Sequence, residues 1–92
     1  PAAQREVYRA RRAQLAPALE SAGGTIHGSQ AGLYLWTTFD EDSMATVDRL
    51  ADLGVLVAPG MFYGEGGARF VRVALTATDE RIAAAAQRLE RS

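Results

Sequence analysis

Arg72 is the side chain whose neighbours best place it to do chemistry. It stands in Arg69-Phe70-Val71-Arg72-Val73-Ala74-Leu75, an alternating run with Val71, Val73 and Leu75 on one side and Phe70, Arg72 and Ala74 on the other. If helices bury the first set, Arg72 projects from the opposite face. A guanidinium fixed on a strand presents parallel N–H donors in a planar fork, the shape a carboxylate accepts. Upstream, the glycine-rich Pro59-Gly60-Met61-Phe62-Tyr63-Gly64 would shape a pocket beside it, with Tyr63 supplying a hydroxyl. By residue type alone, Arg72 also reads as a surface strand arginine, and the loop as a connection packed on its own domain.

The other candidates point to structure. His27 is the lone histidine, with no metal-ligand or nucleophile set beside it, and reads as a half-exposed strand residue. Asp40, Glu41 and Asp42 are better explained by capping a helix than as a paired acid and base. Tyr34 and Trp36 share a strand face and read as packing. Arg9, Arg11 and Arg12 read as a solvated helix face, because no aromatic or glycine pattern accompanies them. All ten basic side chains are arginine; lysine and cysteine are absent. The chain therefore has no side-chain amine for a Schiff base, no thiolate and no cysteine-ligated zinc. No catalytic, cofactor-binding or metal-binding set is expected in these residues.

The elements that must position Arg72 are legible from periodicity. Ala3 to Ala22 reads as a helix with Tyr8, Leu15, Leu19 and Ala22 inward, kinked or reset at Leu15-Ala16 by Pro17 and ended by Gly23-Gly24. Thr25 to Ser29 and Leu33 to Thr38 read as an antiparallel strand pair. A second helix follows the Asp40-to-Ser43 caps, with Met44, Val47, Leu50 and Ala51 inward until Gly54. Val55 to Ala58 reads as a strand buried on both faces. After the Arg72 strand, Thr78 caps a last helix with Ile82, Ala85, Ala86 and Leu89 inward. The expected fold is α+β: a small, mostly antiparallel sheet with helices packed on one face and the other face uncovered.

Ninety-two residues make one domain, 1–92, burying only about 60 to 65 per cent of the unfolded chain's surface, so an additional covering surface would matter. With 48% hydrophobic and 23% charged residues the chain should fold. Its net charge of −1 gives no preference for nucleic acid or an anionic membrane. The lack of cysteine, of a secretory segment and of a membrane-length apolar run is expected of a cytoplasmic protein.

Ala31-Gly32-Leu33-Tyr34-Leu35-Trp36, Val57-Ala58-Pro59-Gly60-Met61-Phe62-Tyr63-Gly64 and Phe70-Val71-Arg72-Val73-Ala74-Leu75 together resemble the C-terminal small domain of class I/II, fold-type-I, pyridoxal-phosphate-dependent aminotransferases. Within that family the likeness is nearest to the actinobacterial succinyldiaminopimelate aminotransferases of lysine biosynthesis. The resemblance implies that Arg72 binds the substrate α-carboxylate, while Phe62 and Tyr63 approach the substrate side. It further implies that pyridoxal 5'-phosphate is held by a large domain absent from these residues, that glutamate is the amino donor, and that the whole enzyme is a homodimer. Without a lysine, the 92 residues alone are expected to be inactive. The alternative is a stand-alone amino-acid-binding or dimerisation module without catalysis.

Overall fold

A computed structural model describes residues 2–30 and 32–91, with the side chains of Ala2, Gln30, Phe62, Tyr63 and Glu65 outside the described part. The elements run α1 (Ala2–Ser21), β1 (Thr25–Gln30), β2 (Tyr34–Thr38), α2 (Ser43–Asp52), β3 (Val57–Pro59), two 3₁₀ turns (Gly60–Tyr63 and Glu65–Gly67), β4 (Phe70–Ala74) and α3 (Asp79–Arg91). This is the expected α+β order. The four strands form one sheet in the order β1-β2-β4-β3, and each neighbouring pair is antiparallel.

The core lies between the helices and one sheet face. Leu35, Val71 and Val73 from the sheet meet Leu15 and Leu19 of α1, Leu50 of α2, and Ile82, Ala85, Ala86 and Leu89 of α3. Leu75 continues the buried side of β4, as its alternation requires. In α3 the inward stripe is the expected one, and the Thr78 hydroxyl accepts from the Arg81 amide at 3.2 Å to cap its first turn.

Three expectations are corrected. First, α1 is not reset at Leu15-Ala16: the helix is continuous through Pro17. Pro17 and Ala13, whose carbonyl loses its amide partner to the proline, both lie on the exposed side, where water can take the lost bond. Second, the inward stripe of α2 is Ser43, Thr46 and Leu50, with Met44 42% exposed and Ala51 exposed. Thr46 can face inward because its hydroxyl is bonded, donating to Glu41 Oε2 at 2.7 Å, whereas at Ser43 the backbone amide donates to the Ala68 carbonyl at 2.8 Å and the buried Oγ has no hydrogen-bond partner among the described residues. Third, β3 is a three-residue edge strand rather than a doubly buried one; Val55 enters the core but Leu56 is 59% exposed. An edge position also accommodates Pro59, which has no amide to donate.

Glu41 anchors the start of α2, accepting from Thr46 and from the Arg49 guanidinium. The bond from Arg49, then that from Thr46, hold its carboxyl below the usual glutamate value of 4.5 despite an opposing desolvation. A carboxyl depressed in the folded state contributes stability in full above its unfolded pKa and loses it as pH falls through the folded value. Glu41→Gln should therefore lower stability at neutral pH and reduce its decline below about pH 4.5, as measured by urea denaturation across pH.

Candidate functional site

The uncovered face of the sheet is built around β4 and β2. Cross-strand pairing sets Arg72 opposite Trp36 on β2 and Ala58 on β3, while Phe70 lies opposite Thr38 and Ala74 opposite Tyr34. Opposed residues share a face, so Tyr34, Trp36, Phe70 and Arg72 lie together, away from the buried Leu35, Val71 and Val73. Arg72 is half-buried, with its guanidinium carbon 3.8 Å from the centroid of the Tyr34 ring. That distance is a close cation–π contact, which orients the plane of the guanidinium and restricts its rotamers.

Next to this pair is an aromatic row. Trp36 stacks on Phe70 with centroids 5.2 Å apart and planes within 7°, and His27 meets Phe70 edge-on at 5.0 Å. His27 is exposed and falls where the β1–β2 register shifts, between Ile26 and Gly28. The bulge turns the imidazole toward Phe70. Residue type assigns Tyr34 only to packing. Its part in orienting Arg72 is signalled by its place on the same strand face as Trp36, but the partner depends on β2–β4 pairing, which no local pattern reveals.

The loop between β3 and β4 is closed by its own backbone. A Cβ on Gly67 would lie 2.0 Å from the Gly60 carbonyl oxygen, and one on Gly60 would lie 2.5 Å from the carbonyl oxygens of both Gly67 and Phe70. Only glycine fits at either side of this neck. Met61, near the tip, is 46% exposed. The Phe62 and Tyr63 side chains lie outside the described part. The loop's far end is tied down where the Arg69 carbonyl accepts from Thr38 Oγ1 at 2.6 Å and the Arg69 guanidinium donates to the Asp40 carbonyl. Arg69 is thus structural, and Asp42 caps α2 by accepting from the Met44 amide at 3.0 Å.

The expected arginine cluster divides in two. Arg9 and Arg12 are exposed, but Arg11 has a side chain only 15% exposed, with Nε donating to Asp79 Oδ1 at 2.8 Å and Nη1 to the Leu75 carbonyl at 2.9 Å. It joins α1 to the end of β4 and the start of α3. Among the described residues, no cluster of three or more histidine, aspartate or glutamate side chains could hold a metal ion. Among them, too, no helix is long and apolar enough to cross a membrane.

Comparison with known proteins agrees with this architecture. The family "Aminotransferase class I and II" matches residues 2–89. Of curated relatives, a 4-dedimethylamino-4-oxo-anhydrotetracycline transaminase of Streptomyces rimosus is 58% identical over 94% of this chain and 24% of its own length. A probable aminotransferase of Mycobacterium tuberculosis is 62% identical over 94% of this chain and 21% of its own. The solved structure of a probable N-succinyldiaminopimelate aminotransferase from Thermus thermophilus superposes with a TM-score of 0.73 at 37% identity, covering 92% of this chain and 23% of that one. The chain thus spans between a fifth and a quarter of the length of these proteins.

Gly67→Ala should force the neck of the β3–β4 loop apart. The expected outcome is a loss of about 1–3 kcal/mol in denaturant unfolding, the range for a small overpacked site, together with protease sensitivity gained between Gly60 and Gly67.

Proposed function

The chain belongs to the class I and II aminotransferases, and we propose that residues 1–92 form the small, C-terminal, substrate-binding domain of a longer pyridoxal-phosphate-dependent transaminase. The observation that carries this reading is Arg72, half-buried on the open sheet face and held against Tyr34. Stacking engages the face of a guanidinium, whereas a carboxylate binds along its edge, so one side chain can do both. Arg72 would bind the α-carboxylate of the amino-acid substrate. The closed loop would bring Phe62 and Tyr63 toward the same substrate, and the domain would close over it and exclude water.

The residues present do not fit the cofactor itself. No lysine occurs in the chain, so no side-chain amine is available to bond the aldehyde of pyridoxal phosphate. Holding the cofactor and moving the substrate proton would fall to the rest of the parent protein, in which this reading also places homodimer formation and a cytoplasmic setting. A stand-alone amino-acid-binding or dimerisation module is the competing use of an open sheet face; the family match over residues 2–89 favours the enzyme.

For the substrate, we favour transfer of an amino group from glutamate to the keto precursor of N-succinyldiaminopimelate, in lysine biosynthesis. The Thermus thermophilus protein of that description, 37% identical, supports it. The Streptomyces rimosus relative is described by a polycyclic ketone instead. Either reaction needs an amino-acid donor whose α-carboxylate Arg72 would hold.

In the full-length enzyme, Arg72→Lys should raise KM for the amino-acid donor about 10- to 100-fold, the worth of a lost hydrogen bond to a charged group, with a smaller change in kcat. Unchanged steady-state kinetics would remove Arg72 from the site.

A further inference from the structure

We infer that Phe70 is a positioning residue for Arg72: by stacking on Trp36 it draws the indole away from the guanidinium and leaves Tyr34 as the ring that orients it. This rests on the reading of Arg72 as the carboxylate anchor and adds the residue that sets the anchor's pose. Cross-strand pairing puts Trp36, not Tyr34, directly opposite Arg72. Directly opposed side chains on one sheet face have Cβ atoms about 4.5–5.5 Å apart, so of the two rings on β2 the indole starts nearer to Arg72. Tryptophan is also the ring that attracts a guanidinium most strongly. Proximity and ring type would both pair Arg72 with Trp36. The structure shows another arrangement: the guanidinium carbon lies 3.8 Å from the Tyr34 centroid, and the indole lies parallel to the Phe70 ring with centroids 5.2 Å apart.

Two parallel diagonals produce this arrangement. Each β2 ring meets the β4 residue two positions before its own partner: Tyr34, opposite Ala74, meets Arg72, and Trp36, opposite Arg72, meets Phe70. Diagonal neighbours, about 7–8 Å apart, are within reach of aromatic and long side chains. The direct partners passed over are small, Ala74 opposite Tyr34 and Thr38 opposite Phe70, and the Thr38 hydroxyl is drawn to the Arg69 carbonyl at 2.6 Å. Phe70 is also met edge-on by His27, at 5.0 Å, from the bulge of β1. With Phe70 truncated, the indole loses its stacking partner on β4, and Arg72 is the neighbour directly across from it. The guanidinium then divides between two rings and two poses, of which one presents its edge where the carboxylate binds.

The test is steady-state kinetics of the full-length enzyme carrying Phe70→Leu, Phe70→Tyr, Arg72→Lys and the double change Phe70→Leu/Arg72→Lys. Phe70→Leu should raise KM for the amino-acid donor about two- to tenfold, the worth of an aromatic pair, with kcat held within about twofold. Phe70→Tyr keeps a flat ring and should retain the wild-type KM. Combined with Arg72→Lys, Phe70→Leu should add less than about twofold, because an ammonium has no planar fork to orient. Phe70→Met, which fills the space without a ring, replaces leucine if that variant melts early. A ring-free variant with the wild-type KM, or one that raises KM equally with and without Arg72→Lys, would overturn the positioning role while the effect of Arg72→Lys alone still stands. Wild-type kinetics in Arg72→Lys would sink the anchor itself, and the role of Phe70 with it.

Discussion

The burial of Val71, Val73 and Leu75 against the helices is the constraint from which the rest follows. All three are fully buried, and a strand alternates strictly, so the residue between the two valines can only face the other way. β4 also pairs on both sides, with β2 and β3. A slip of one residue in its register would put Arg72 into the apolar core and the valines into the open, which fixes the position of Arg72 far more firmly than its own contacts do.

The contacts around β4 hold its two ends. At its start, Thr38, Asp40 and Arg69 bond across the loop end, and the Gly60–Gly67 neck leaves no room for side chains. At its finish, Arg11 is bonded to the Leu75 carbonyl and to Asp79, joining α1 to α3. Arg11 can lie largely buried because both its contacts are polar and one is anionic. A strand held at both ends presents the guanidinium on a rigid support, and Tyr34 restricts what motion remains. Such pre-positioning lowers the ordering cost of binding a carboxylate.

Much of this is legible in the residues. The α+β order, the α3 stripe and the outward projection of Arg72 follow from local periodicity, a short-range property of the chain. The differences arise where tertiary context overrides it. Thr46 turns inward because Glu41, outside the helix, accepts from its hydroxyl, and Ser43 is held at the buried helix start by the bond of its backbone amide to Ala68, whereas apolar spacing favours Met44. Leu56 is exposed because β3 is an edge strand, a fact of sheet order rather than of composition. The division of the arginine cluster is partly of the same origin: Arg11 sits on a different face of α1 from Arg9 and Arg12, and its partners are far away in sequence. The approach of the Phe62 and Tyr63 rings to substrate is a reading of the loop's place beside β4.

The measurement that bears most directly on Arg72 is calorimetric binding to the full-length enzyme of an amino acid and of its carboxamide, each against wild type and Arg72→Ala. If Arg72 is the carboxylate anchor, wild type prefers the acid by about tenfold or more, and the variant loses that preference because the amide has no charge to pair. A preference for the acid that survives Arg72→Ala undiminished would place the carboxylate elsewhere and contradict the assignment.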